Sequence, residues 1–327
     1  MRISVDIGNG YVKAMNEKGE KLHFPTVMKE NQELGILKSK SPYSISINGV
    51  SYFMGKLAIV KKGSRRWENN KAIHQDTEKY LALCSHLLSK KKNEEIELCL
   101  GLPYSYYLAL NQGSDLAESL KGKKFATKMD EEEKKIIIKE VSIFPQGIGA
   151  YFANLYDISG QALKDANQYI KSICIDIGYR TVDIVSFNTL DGQFELIYEN
   201  SFSLEEHGMY NAVNRIAQRA SAGFELSAGD AEFALEYNHG VFENMYEDID
   251  LTAIAEEEYE KLAQEIVTNI NLKLSSDINK YKNLFLTGGG AVRLYPYMKR
   301  AYPNVSLQED YIFCNTKGYL ALENTKS

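Results

Sequence analysis

The sequence predicts an α/β protein of two related halves, with a small subdomain inserted in the first. Three observations carry that expectation. The octet Asp6-Ile-Gly-Asn-Gly-Tyr-Val-Lys13 returns as Asp176-Ile-Gly-Tyr-Arg-Thr-Val-Asp183, 170 residues later. Each octet lies in a three-strand meander. Each meander is followed by helical stretches and further apolar strands. A repeat at that separation points to two domains of related topology, not a solenoid, and 327 residues suit two domains.

The elements follow in order. Ile3, Val5 and Ile7 alternate with Ser4 and Asp6, a strand pattern. Gly8-Asn9-Gly10 is a turn, Tyr11 to Met15 a second strand, and Leu22 to Val27 a third after Gly19. Residues 28–75 are more polar and basic and hold a hairpin, Tyr43–Ile47 and Val50–Met54, joined by Asn48-Gly49. This segment reads as the inserted subdomain. A helix over 76–90, a strand Ile96–Leu100, a helix around Ser105–Leu120 and a strand-rich stretch Lys134–Phe144 follow. Pro145-Gln146-Gly147 opens a helix to about Tyr156. The second meander comprises Ser172–Asp176, Thr181–Phe187 and Phe194–Asn200, with turns at Gly178-Tyr179-Arg180 and Asp191-Gly192. Helices near 208–222, 227–237 and 251–280 come next. A short strand Leu284–Leu286 ends in Thr287-Gly288-Gly289-Gly290, a helix starts at Ala291, and a last helix starts near Thr316. The expected domains are 1–157 completed by the terminal helix 314–327, and 158–313.

Composition narrows the function. Apolar residues make up 44% and charged residues 25%, which excludes a mainly disordered chain. A net charge of −6 argues against direct wrapping of nucleic acid, which needs clustered Lys and Arg. No apolar run approaches the roughly 18 residues of a membrane span, and no signal peptide is visible, so a cytoplasmic protein without membrane contact is expected. Cys84, Cys99, Cys174 and Cys314 form no CxxC pair and read as buried thiols of a reducing compartment. The five histidines have no ligand-like spacing.

The chemistry resides in the two Asp-Ile-Gly turns. A glycine-bearing hairpin presents backbone N–H groups without side-chain obstruction and makes an anion-binding nest. Asp6 or Asp176 cannot hold phosphate directly, but can hold a hydrated Mg²⁺ that bridges to it. Two such turns can clamp a nucleoside polyphosphate between two domains, with the Lys13 ammonium meeting β- or γ-phosphate oxygens. Two other motifs fail. Gly49 to Lys56 has one residue too many for a P-loop and Leu57 where Ser or Thr is required. Gly288-Gly289-Gly290 has Arg293 in the sixth position of a dinucleotide fingerprint and no βαβ unit after it.

With these residues in view, the chain resembles the actin-like ATPase superfamily in five segments, in order. They are the first phosphate segment Asp6–Lys13, the first connecting segment Phe144–Ala150, the second phosphate segment Asp176–Asp183, the adenosine segment Leu286–Ala291 and the second connecting segment Asn315–Tyr319. It most resembles the plasmid-segregation actins of the ParM or StbA type. The reasons are its compact size, the insertion after the third strand, Leu100-Gly-Leu-Pro103 before a tyrosine-rich helix, and the ending Phe313 to Tyr319.

The resemblance implies an actin-like fold around a nucleotide cleft, and slow ATP hydrolysis with Mg²⁺. Asp6 and Asp176 would position the metal, while Gly8, Asn9, Gly10, Tyr11, Gly178, Tyr179, Arg180 and Thr181 cradle phosphates. Gln146 would orient the attacking water, since a neutral amide is a poor base. Asp183 would polarise that water or hold the second turn; Gly288, Gly289 and Gly290 would admit adenine and ribose, with Gly208 and Glu232 nearby. Arg180 replaces the smaller residue common in the family and either adds a cation at the γ-phosphate or points outward. The implied output is a head-to-tail filament that segregates plasmid DNA through a ParR-type adaptor. The alternatives are a non-filamentous actin-like adaptor and a small-molecule kinase; the latter would need a catalytic Asp where Gln146 stands. A DnaK-type chaperone is not expected, since no peptide-binding domain follows.

Overall fold

The computed structural model describes residues 1–31, 43–61, 63–65, 73–165, 171–190, 193–221, 225–245 and 247–325. They form two compact units, Met1–Asp165 with Ile312–Ser327, and Ala166–Tyr311. The sequence-based boundaries at 157 and 313 differ from these for physical reasons. Ile158 O accepts a hydrogen bond from Asn324 Nδ2 at 2.6 Å, and Leu163 N donates to Leu155 O, so 158–165 stay with unit 1. Phe313 packs edge-on against His23 of the same unit.

Unit 1 opens with β1 (Arg2–Ile7), β2 (Tyr11–Asn16), β3 (Lys21–Pro25) and β4 (Val27–Glu30). The hairpin β5 (Ser44–Ile47) and β6 (Val50–Met54) leads to α1 (Gly55–Val60), β7 (Ser64–Arg65) and α2 (Ile73–Leu88). Then come β8 (Asn93–Leu102), α3 (Tyr104–Ala109), α4 (Ser114–Leu120), β9 (Lys124–Met129), β10 (Glu132–Pro145) and α5 (Ile148–Leu155). Unit 2 contains β11 (Lys171–Ile177), β12 (Val182–Leu190), β13 (Gln193–Leu196), β14 (Phe202–Leu204), α6 (Met209–Ala220) and α7 (Ala228–Tyr237). It continues through β15 (Val241–Glu243), β16 (Asp248–Asp250), α8 (Thr252–Leu274), β17 (Asn283–Thr287), α9 (Ala291–Ala301) and β18 (Val305–Leu307). The last helix, α10 (Cys314–Thr325), belongs to unit 1.

The two sheets share a motif. Unit 1 orders its strands β3-β2-β1-β8-β10 before continuing to β9-β5-β6-β4-β7, and unit 2 orders its strands β13-β12-β11-β17-β18. In both, an antiparallel meander adds a strand parallel to its first member: β8 beside β1, β17 beside β11. A central strand with neighbours on both sides and cover on both faces reads as a buried run. Ile3 to Asp6 and Ser172 to Ile177 are accordingly buried without interruption, polar members included.

Several elements depart from the sequence pattern. The hairpin 44–54 of the inserted segment does not form its own sheet; Ser46 and Ile47 pair with Lys128 and Thr127 of β9 and extend the unit 1 sheet. Residues 32–42, 62 and 66–72 of that segment, including Lys62 and Arg66, lie outside the described residues, as does the turn Asp191-Gly192. The single helix expected over Ser105–Leu120 is broken at Asn111 (φ 49°) and Gly113 (φ 83°), whose left-handed backbone a helix interior does not allow. Gly113 also lies so close to Ile143 that a Cβ would overlap it. The helix expected over 251–280 ends at Leu274 and continues as a 3₁₀ segment, Ser275–Lys280. Helix α7 starts as the sequence suggests, with a Ser227/Asp230 capping box.

Each unit has its own core: Ile3, Val5, Leu81, Leu83, Ile96 and Leu98 in the first, Ile173, Ile175, Ile184, Leu262, Ile266 and Leu286 in the second. All four cysteines are buried thiols outside any disulfide.

One polar group inside unit 1 contributes to acid sensitivity. Lys134 Nζ donates to His86 O at 2.8 Å and Ser89 O at 2.7 Å, closing the C-terminal end of α2. Thr127 Oγ1 donates to Lys134 O, so the 2.8 Å contact of Thr127 with His86 Nδ1 assigns the imidazole proton to Nδ1. Burial, aided by the Lys134 charge and opposed by Glu132, lowers the His86 pKa to about 4. The folded protein therefore holds His86 neutral while the unfolded chain protonates it near 6.5. Its stabilisation is full above pH 6.5 and falls as pH drops toward 4. Between pH 7 and 5 the loss is about 2 kcal/mol. Urea melts of His86→Gln at the two pH values should show a drop smaller by that amount; an equal drop in both proteins would exclude the assignment.

Candidate nucleotide site

Unit 1 builds its half of the site at the β1–β2 turn. Asp6, only 2% exposed, is the penultimate residue of β1 and stands directly opposite Lys13 on β2. Opposed side chains on neighbouring strands share a face. Lys13 Nζ accordingly donates to Asp6 Oδ2 at 3.1 Å. The other oxygen, Oδ1, accepts from Gln146 Nε2 at 2.5 Å. Gln146 lies in the turn between β10 and α5, and its backbone N–H is fixed on Leu102 O at 2.7 Å. Gly147 follows with φ 90°, and its N–H donates to Asn315 Oδ1 at 3.1 Å. Gly149 faces the Asn315 backbone with no room for a Cβ. The two connecting segments are therefore in contact, and they deliver Gln146 to Asp6.

The turn itself closes by Gly8 N–H donating to Tyr11 O at 3.1 Å. Thr26, which sequence reading did not single out, holds it from outside: Oγ1 donates to Gly8 O at 2.6 Å and N–H to Gly10 O at 2.9 Å. Tyr11 stacks on His23 with ring centroids 4.7 Å apart.

Unit 2 repeats the construction with different chemistry. Asp176 is the penultimate residue of β11, and its cross-strand partner is Asp183, where unit 1 has Lys13. Both carboxylates are buried, at 6% and 1% exposure. Asp183 accepts from Ser203 Oγ and, at 3.4 Å, from Thr181 Oγ1. Gly178 N–H donates to Thr181 O at 2.9 Å, the same closure as in the first turn. The start of α6 holds the turn: Gly208, Met209 and Tyr210 N–H groups donate to Arg180 O, Gly178 O and Tyr179 O at 3.0, 3.1 and 2.8 Å. Gly208 must be glycine there, because a Cβ would overlap the Tyr179 and Arg180 backbone. Tyr179 OH donates to buried Glu232 Oε2 at 2.8 Å, tying the turn to α7.

The Gly288–Gly290 loop lies against this second turn. Gly288 has φ 91°, and a Cβ would overlap Asp176 Oδ1 and Ile177 O. Gly290 N–H donates to Ile177 O at 3.0 Å. Gly289 has open space where its side chain would stand. The structure thus gathers Asp6, Gly8–Tyr11, Lys13 and Gln146 in unit 1, and Asp176, Gly178–Thr181, Asp183, Gly208, Glu232 and Gly288–Gly290 in unit 2. It adds Thr26, Asn315 and Ser203. Among the described residues no group of three His, Cys, Asp or Glu side chains forms a dedicated metal cage, and no helix is long and apolar enough to cross a membrane.

Comparisons with known proteins bear on the family and the fold. Residues 4–149 match the family model "Actin like proteins N terminal domain", and residues 174–300 match "Archaeal actin homologue MreB-like, C-terminal". An archaeal actin homolog of Thermoplasma acidophilum is 24% identical over 97% of both chains. Among solved structures, a 15-stranded ParM filament from Clostridium botulinum has a TM-score of 0.80 and 24% identity, covering 100% of this chain and 99% of that one. An archaeal actin homolog solved in complex with ADP has a TM-score of 0.78 and 20% identity, again covering 100% and 99%. Two related sheets, two aspartate-bearing phosphate-type turns and matching models across both halves lead to one conclusion: the chain belongs to the actin-like ATPase superfamily and has the actin-like α/β fold.

Proposed function

We propose that the protein binds ATP with Mg²⁺, hydrolyses it slowly, and assembles head to tail into filaments whose lifetime follows the nucleotide. The observation that carries this reading is the duplicated turn. Each unit carries a buried aspartate one residue before the end of the first strand of its meander and closes the next bend by the same glycine N–H bond. Backbone amides of residues 9–11 and 179–181 serve the phosphates. Gly288–Gly290 admit adenine and ribose at the backbone. Lys13 contributes a cation beside Asp6.

The residues present fit Mg²⁺. Asp6 and Asp176 are oxygen donors of the hard type that this ion takes. Both oxygens of Asp6 are already accepting from Lys13 and Gln146, which favours holding the ion through its water shell. When bound, Mg²⁺ neutralises phosphate charge. Gln146 spends an amide N–H on Asp6, which leaves its carbonyl Oε1 to accept a hydrogen bond from the attacking water and orient it. Asp183, fixed by Ser203 and Thr181, steadies the second turn.

Filament formation is supported by the fold shared with a ParM filament. A head-to-tail contact that does not close on itself generates an open polymer. We further propose plasmid segregation through a ParR-type adaptor as the output, because a net charge of −6 favours reaching DNA through a partner. Sedimentation and light scattering with MgATP, MgADP and no nucleotide test the assembly. Pelleting with MgATP that reverses as phosphate is released is the expected result. Nucleotide binding without pelleting under any condition would instead identify a non-filamentous protein. Asp176→Asn should weaken MgATP binding at least tenfold by calorimetry, and unchanged affinity would remove Asp176 from the site.

A further inference from the structure

We propose that Thr26 is the positioning residue of the first phosphate turn, the side chain that aims its backbone N–H groups. The inference rests on the nucleotide-binding reading above. Thr26 is 1% exposed and joins β3 to β4. Its hydroxyl takes Gly8 O at 2.6 Å and its N–H takes Gly10 O at 2.9 Å. In a planar trans peptide the carbonyl of one residue and the N–H of the next point in opposite directions. Fixing the Gly8 and Gly10 carbonyls on Thr26 therefore turns the Asn9 and Tyr11 N–H groups away from it. A nest binds an anion only when successive N–H groups are so presented. Without this hold the Gly8-Asn9-Gly10 stretch, with two glycines in three residues, has many other conformations to visit.

The second turn shows why the role falls on one side chain. Its three carbonyls are held by the first N–H groups of α6 and the residue before it, all main chain. Deleting a side chain does not remove that clamp, although adding one at Gly208 would push it apart. Among the described residues no helix N-terminus donates to the carbonyls of the first turn; the equivalent task is divided between the hydroxyl and the N–H of Thr26. Thr26 is also the last residue before β4, where the chain enters the inserted segment, so turn and insertion share one residue.

Thr26→Val keeps shape and the N–H bond and deletes only the hydroxyl; Thr26→Ser restores it. Affinities for MgATP, MgADP and adenosine should be measured by calorimetry and competition. Loss of one such hydrogen bond should weaken MgATP and MgADP about tenfold in the valine variant. Adenosine, which has no phosphate, should change less than twofold, and serine should recover the nucleotide affinities. Equal weakening of all three ligands, or none, overturns the assignment while leaving nucleotide binding intact. Failure of the wild-type protein to bind MgATP overturns the proposed function and this inference with it. Should the valine variant not fold, amide exchange in the wild type decides: the Asn9 and Tyr11 amides should slow on adding MgATP, and unaltered exchange at both refutes the proposal.

Discussion

Gly318→Ala is expected to destabilise the protein by about 3 kcal/mol or more, despite the better helix propensity of alanine. A Cβ on Gly318 would land on the backbone of Gly149, and one on Gly149 would land on the Asn315 backbone. Helices α5 and α10 thus meet at their main chains, where no rotamer change can make room. The contact is anchored on both sides. Asn315 Oδ1 accepts from Gly147 N–H, Thr316 O accepts from Ser4 Oγ at 2.6 Å, and Tyr319 stacks on Phe144 with ring centroids 5.3 Å apart. Separating the helices to admit a methyl group disturbs all three. Thermal melting of Gly318→Ala beside Gly229→Ala is the test. Gly229 lies in α7, and its added Cβ would meet only Ser227 Oγ at 3.7 Å. That control should hold its stability or gain up to about 1 kcal/mol. Equal melting temperatures for the two variants would refute the close-packing argument.

Gln146→Ala should lower ATP turnover about 100-fold, with little change in MgATP affinity. The side chain is 7% exposed, its backbone is fixed on Leu102, and its amide is fixed on Asp6. Alanine removes the group that orients water and leaves the phosphate-holding amides in place. Single-turnover phosphate release at saturating MgATP, with affinity measured separately, separates the two effects. A variant that hydrolyses at the normal rate would end the assignment of Gln146. Gln146→Glu is a sharper case. It sets a second carboxyl group against buried Asp6 in place of a hydrogen-bond donor, so it should lose stability as well as turnover.

The parts of the site that could be read from the sequence are those written in local residue order. Asp-Ile-Gly followed by a resumed strand pattern marks a turn with a carboxylate at its edge, and the echo at 176–183 marks its duplicate. Gly288-Gly289-Gly290 between a strand and a helix signals close backbone approach, and the structure gives the reason in Asp176 and Ile177. What joins these pieces left no local trace. Gln146 meets Asp6 across 140 residues, and Asn315 meets Gly147 across 168. Thr26 looks like the polar end of an apolar strand, and its partners become visible only when β3 lies beside β2. Strand β9 was missed because Lys124–Met129 is short and its alternation is blurred, with Ala126 on the exposed face and Thr127 on the buried one. The break at Asn111–Gly113 was missed because helical periodicity resumes after it, although Asn and Gly are the residues that tolerate positive φ.

The position of α10 bears on how the chain comes to be folded. Residues 166–311 are a self-contained unit strung between two parts of another. As synthesis proceeds, this inner unit has all its strands once residue 311 has emerged. The outer unit, begun first, still lacks the helix that seats Asn315 on Gly147 and Tyr319 on Phe144. The unit begun first is therefore completed after the inner one, and the contact of Asn315 with Gly147, beside Gln146, can form only once α10 has emerged.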